Sequence, residues 1–198
     1  MLVDSEAISN RVLARLLTEA GMPMTPEQSI EAFMGRSWKN VIGWADERGG
    51  LPEGFRRRYL DQMFAAFEEE LQPVPGIAAA LDAISLPSCV ASSASIEKMR
   101  FTLGHTGLWD RFVGRIFSAT EVEHGKPAPD LFLHAASSMG WEPADCAVVE
   151  DSPAGVKAGL AAGMTVFGYA GTTPAVLLEG ARVFTDMAEL PALLQPPS

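Results

Sequence analysis

Cys146-Ala147-Val148-Val149-Glu150-Asp151-Ser152 joins a short apolar run to two adjacent carboxylates and a hydroxyl. Runs of the same kind recur on both sides of it: Ser88-Cys89-Val90-Ala91, Arg115-Ile116-Phe117, Thr165-Val166-Phe167 and Arg182-Val183-Phe184. Helical stretches separate them, for instance Ile96 to Thr106 and Leu131 to Met139. That alternation predicts parallel strands joined by crossover helices, an α/β chain built on a doubly wound, Rossmann-like parallel sheet.

Upstream of Pro73-Val74-Pro75-Gly76 the texture is helical only. Ile8, Val12, Leu16, Leu17 and Ala20 recur at helical spacing behind an Asp4-Ser5 cap, and Gly21 stops that helix. Thr25-Pro26 opens a second helix in the cap-then-proline pattern, and Gly35 ends it. A third is expected from about Ser37 to Arg48, closed by Gly49-Gly50. A long fourth follows Pro52, with Phe55, Tyr59, Met63, Ala66 and Phe67 along one stripe. Four helices with short turns predict a small bundle. The expected division is therefore a helical domain over residues 5–72, with residues 1–4 and 73–198 forming the sheet core.

Composition narrows the function classes. With 198 residues and 47% hydrophobic content the chain can bury a substantial core, and 20% charged residues argue against global disorder. A net charge of −10 argues against a nucleic-acid partner, which recruits clustered Lys and Arg. The densest basic run, Arg56-Arg57-Arg58, is followed closely by glutamates and reads as a solvated helix face. Cys89 and Cys146 each lie in an apolar run, so buried free thiols are expected rather than a disulfide. Without a long apolar run or a signal-peptide pattern, neither a membrane nor export is expected, and a reducing cytoplasm is the default.

In an open parallel sheet, ligands bind at the carboxyl ends of the strands. Polar residues that directly follow the apolar runs are thus the candidates. They are Ser92, Ser93 and Ser95 after the first run, and Glu150, Asp151 and Ser152 after the run at Val148-Val149. Between them lies Gly125-Lys126-Pro127-Ala128-Pro129-Asp130, a loop ending in a helix cap. Adjacent carboxylates repel each other in a confined site, and a hard cation such as Mg2+ offsets that cost through oxygen coordination. Each signal also has an ordinary reading: Asp151 capping a helix that starts near Pro153, Lys126 in solvent, the serines as turn residues.

Together, Val90-Ala91-Ser92-Ser93, then Gly125-Lys126-Pro127-Ala128-Pro129-Asp130, then Val148-Val149-Glu150-Asp151-Ser152 resemble three of the four signature motifs of the haloacid dehalogenase superfamily. The small residues of Ala154-Gly155-Val156-Lys157-Ala158-Gly159-Leu160-Ala161-Ala162-Gly163-Met164 resemble the helix after that family's last motif. The nearest branch is the β-phosphoglucomutase-like, sugar-phosphate phosphatase one, whose small helical cap the four-helix segment would match. The resemblance implies a Mg2+-dependent phosphohydrolase acting on a small phosphorylated metabolite, such as a sugar phosphate. Ser92 would hydrogen-bond the transferring phosphoryl group and Lys126 would offset charge, while Glu150 and Asp151 would hold Mg2+. The chemistry implied is in-line attack by an aspartate, giving an aspartyl-phosphate that water hydrolyses, with a second aspartate as general acid and base.

That branch opens with a strand and Asp-x-Asp-Gly, whereas this chain opens Met1-Leu2-Val3-Asp4-Ser5-Glu6 and matches the family only from just after the glycine. The expectation is that both catalytic aspartates and the first central strand fall upstream, through a misplaced start rather than an evolved loss, because the other motifs are intact. Asp4 then matches a later aspartate, a helix cap. The chain as written is expected to be a weak or inactive enzyme. In the cap, Gly35-Arg36-Ser37-Trp38-Lys39 resembles the family's substrate loop, so that Arg36, Lys39 and Ser93 are candidate substrate ligands; the competing reading is a solvated turn with Trp38 packed into the bundle. The mutases' cap histidine is replaced by Ser9, which favours phosphatase over β-phosphoglucomutase-type transfer. A non-catalytic protein that binds a phosphosugar and Mg2+ is the rival from another class. A monomer or weak dimer is expected.

Overall fold

The structure, a computed structural model, describes residues 1–33, 38–171 and 173–195. The chain divides into two compact units, Val3–Gln72 and Met1–Leu2 together with the chain from Pro73 onward.

The first unit is helical: α1 (Ser5–Glu19), α2 (Pro26–Phe33), α3 (Trp38–Asp46) and α4 (Phe55–Glu70). Helix α1 buries Ile8, Val12, Leu13, Leu16 and Leu17, the stripe that its periodicity marks. Its exposed Arg11 and Arg15 reach Glu70 and Gln62 of α4 at 2.6 Å each. Helix α4 contributes Phe55, Tyr59, Met63 and Phe67 to the same core. Thr25 starts α2 through a reciprocal capping box: its hydroxyl accepts from Gln28 N–H at 3.2 Å, and the Gln28 side chain accepts from Thr25 N–H at 2.9 Å. Asp4 precedes α1, but its side chain makes no capping hydrogen bond, which corrects the expected role. Trp38 stacks on Tyr59 with ring centroids 5.2 Å apart, so it is packed within this bundle.

The second unit runs α5 (Ile77–Ala83), β1 (Val90–Ser92), α6 (Ile96–His105), β2 (Ile116–Ser118), α7 (Asp130–Met139), β3 (Ala147–Glu150), α8 (Pro153–Ala161), β4 (Thr165–Tyr169), β5 (Arg182–Phe184) and α9 (Leu190–Leu193). All the ladders are parallel, as the alternation of strands and helices requires. They form two sheets rather than one, ordered β1-β2 and β3-β4-β5. Ser92 pairs with Ser118 in the first, and Glu150 with Gly168 in the second. The strands at β1, β2 and β3 extend past their apolar runs to take in Ser92, Ser118 and Glu150 as last residues.

One core cluster unites α7, α8 and the β3-β4 sheet: Phe132, Ala136, Val148, Val156, Ala158, Ala162, Met164, Val166 and Leu178, with Ala91 of β1 packed against it. Helix α8 lies close on the sheet because Gly159 carries no side chain. A Cβ there would meet Val166 Cγ2 at 2.8 Å and Val148 Cβ at 3.3 Å. Among the described residues, no helix is long and apolar enough to cross a membrane. Cys89 and Cys146 are free, as expected, but both are only half-buried.

Candidate active site

Lys126 is the hinge of the site. It leaves the loop between β2 and α7 and ends with its ammonium against two strand ends. It donates to Ala91 O at 3.1 Å and forms an ion pair with Glu150. The two side chains are 7% and 9% exposed, so the lysine is not a solvated turn residue. The face of Phe132 lies 4.6 Å from Nζ and adds a cation–π contact. One ammonium thereby brings together the carboxyl ends of β1 and β3, residues 35 and 24 positions away in sequence.

Strand alternation turns Glu150 inward with Val148, both buried. Its Oε2 accepts three bonds, from Asp151 N–H at 3.1 Å, Ser152 N–H at 3.2 Å and the Ser152 hydroxyl at 3.0 Å. Gly155 makes room for this carboxylate, since a Cβ there would overlap it at 2.0 to 2.3 Å. Ser152 caps α8, its Oγ accepting from Gly155 N–H at 3.1 Å. The cap therefore belongs to Ser152 and not to Asp151, whose carboxylate is 22% exposed.

Asp151 Oδ2 receives the Met1 α-ammonium at 2.8 Å. The Asp151 carboxylate is 22% exposed and carries hard oxygen donors of the kind that suit Mg2+. Glu150 is different, because both of its oxygens are already engaged. Among the described residues no three His, Cys, Asp or Glu side chains gather into a metal-ligating group.

Ser92 ends β1, and its Oγ accepts from Ala94 N–H at 3.2 Å. The bond uses a lone pair and leaves the hydroxyl hydrogen available to an anionic oxygen. Ser93 is exposed, and Ser95 is the N-cap of α6, accepting from Lys98 N–H. Lys39 is exposed on α3, and Arg36 lies outside the described residues. Asp130 is the first residue of α7 and caps nothing. Its carboxylate instead accepts from His124 N–H at 3.3 Å and contacts His124 Nδ1 at 3.1 Å, closing the loop that carries Lys126.

Ser118 was not singled out from sequence. Fully buried, it donates to Ala94 O at 2.7 Å and ties the end of β2 to the turn after β1. The rule that found Ser92, a polar residue ending an apolar run, also marks Ser118 after Arg115-Ile116-Phe117. The partnership of His124 with Asp130 had no such signal.

The chain matches the family model described as a hydrolase, haloacid dehalogenase-like hydrolase, over residues 2–163. It is 30% identical over 197 residues to a 6-phosphogluconate phosphatase of Escherichia coli (strain K12), covering 97% of this chain and 89% of that protein. It is 40% identical over 170 residues to a fructose-1-phosphate phosphatase of the same organism, covering 82% and 88%. A solved haloacid-dehalogenase-family hydrolase from Deinococcus radiodurans R1, with bound phosphate and sodium, is similar to it with a TM-score of 0.76 at 31% identity, covering 98% and 90%.

Proposed function

Because this chain belongs to the haloacid dehalogenase-like hydrolases, we propose that it is a phosphatase that releases inorganic phosphate from a small phosphorylated sugar or sugar acid. The observation that carries the reading is the convergence on Lys126 of the carboxyl ends of β1 and β3, the strand ends at which Ser92, Glu150 and Asp151 lie. The relatives named for 6-phosphogluconate and fructose 1-phosphate supply the substrate class.

Each residue has a task that its surroundings permit. Lys126 neutralises charge on the transferring phosphoryl group, and Ser92 donates its hydroxyl hydrogen to a phosphoryl oxygen. Ser93, Arg36 and Lys39 are the proposed substrate ligands, two of them cations suited to anionic oxygen. The acidic pair Glu150-Asp151 serves Mg2+, with the carboxylate of Asp151 as the half-exposed one. Bound there, Mg2+ would supply charge neutralisation to the phosphoryl oxygens. The nucleophile implied by the family is the first aspartate of Asp-x-Asp-Gly, a motif that the 198 residues do not contain. The alternative is a protein that binds a phosphosugar and Mg2+ without turnover.

Phosphate release from 6-phosphogluconate and fructose 1-phosphate, with Mg2+ and with chelator, separates the two. It is run on this chain and on one extended upstream by the motif. Mg2+-dependent turnover of the extended chain, reduced about 10²–10³-fold by Lys126→Ala, is the expected outcome. Phosphate binding without turnover in both folded chains would replace the phosphatase with the binder.

A further inference from the structure

Ser118 lies in register with Ser92 across the β1-β2 ladder, fully buried where Ser92 is half-buried. A serine hydroxyl has one hydrogen and two lone pairs, and all three are engaged at Ser118. Its Oγ accepts from Thr120 N–H at 3.2 Å and from the Thr120 hydroxyl at 2.9 Å. The hydroxyl hydrogen goes to Ala94 O at 2.7 Å. The Ser118 N–H donates to the Glu121 carboxylate, which closes a capping box at the end of β2. On its other side, Ala94 N–H donates to Ser92 Oγ at 3.2 Å. Ala94 is thus held between the two serines, and its N–H takes up one lone pair of Ser92. A hydroxyl hydrogen points away from a donor on its own oxygen, so the place of Ala94 limits where the Ser92 hydrogen can point.

We propose that Ser118 is a positioning residue for Ser92, acting through Ala94. It ties Ala94 to the buried end of β2, and Ala94 in turn confines the rotation of the Ser92 hydroxyl. A donor confined in advance loses less entropy on meeting an anionic oxygen than a free rotor does, so affinity for a phosphoryl group rises. Thr120 serves the same end one step further out: it fills both lone pairs of Ser118 and leaves the Ser118 hydrogen a single destination. The inference deepens the phosphatase reading and rests on it for the task of Ser92.

The test is a double-mutant cycle on the whole chain, with inorganic phosphate as the probe and calorimetry at fixed Mg2+ as the readout. Ser118→Ala alone is expected to weaken phosphate about three- to tenfold, the worth of one hydrogen bond, and to change nothing further where Ser92 is already alanine. A residue that only stabilises the fold gives the same loss in both backgrounds. That result, or no loss in either, overturns the proposal. The Ala94 amide resonance reads the relay without any ligand, and both Ser92→Ala and Ser118→Ala are expected to shift it. An Ala94 resonance unmoved by Ser118→Ala also overturns it. Ser118→Cys keeps a weaker donor at nearly the same volume, so it carries the test if Ser118→Ala does not fold. Coupling in phosphate binding, with no sugar phosphate hydrolysed by the chain extended upstream, leaves the relay standing and removes the phosphatase reading. Turnover by that chain untouched by Ser118→Ala does the reverse.

Discussion

At the scale of single residues, the Lys126–Glu150 pair and Tyr59 make separable predictions. Removing one partner of a buried ion pair strands the other charge, which costs about 3–5 kcal/mol. Lys126→Met and Glu150→Gln alone should each lose stability of that order in urea unfolding. The double variant should recover much of it, because no buried charge remains. Additive losses would mean that the two side chains do not interact. Tyr59 is pushed from 10.0 up to about 12, first by burial and then by the Glu6 charge, against a hydrogen bond with Ser9. The folded chain holds this proton more tightly than the unfolded one. The stability it contributes is therefore complete below about pH 10 and is lost as pH rises through about 12, amounting to about 2–3 kcal/mol. Unfolding curves across that window should fall more steeply for the wild type than for Tyr59→Phe; parallel curves would refute the shift.

At the scale of elements, the helical glycines show which of two opposed effects wins. Replacing a helix-interior glycine by alanine gains about 1 kcal/mol of helix propensity. In α3, a Cβ at Gly43 meets none of the described residues within 4 Å, so Gly43→Ala should stabilise by about 0.5–1 kcal/mol. In α8, a Cβ at Gly159 meets Val166 at 2.8 Å and the Cβ of Val148 at 3.3 Å. Neither atom is the far end of a flexible side chain, so overpacking of about 1–3 kcal/mol outweighs the propensity gain. Gly159→Ala should thus lower the midpoint of thermal unfolding while Gly43→Ala raises it. Two shifts of the same sign would show that α8 can lift off the sheet at little cost.

At the scale of the whole molecule, the ladders distribute protection unevenly. Strand β4 is paired on both sides and buries Val166, Phe167, Gly168 and Tyr169. Strand β1 is paired only with β2 among the described residues, and its three residues are half-buried. Backbone amides open more readily where packing and pairing are one-sided. Native-state hydrogen exchange should find the β4 amides among the slowest and those of β1 faster by orders of magnitude. Comparable protection in both strands would mean that β1 gains a second partner in solution.

The helices, the strands and the order of the chemical motifs were legible in the sequence, because periodicity and capping are local properties of a chain. The stripe of α1, the Thr25 cap and the polar residues at the strand ends all follow from neighbours a few positions apart. The same local signals misassigned two caps, since Asp4 and Asp130 are acceptable capping residues and only the backbone's course decides whether they act. A strand boundary drawn one residue early left Glu150 outside β3. Had the alternation been carried on from Val148, its inward turn would have been readable. What the tertiary structure alone decided is the meeting of Lys126 with Ala91 and Glu150 across 35 and 24 positions, and with it the unlike fates of two adjacent carboxylates. Sequence places Glu150 and Asp151 side by side as chemical equals. Burial and the pairing with Lys126 enclose one carboxylate and leave the other part-exposed, and those are properties of a packed chain in three dimensions.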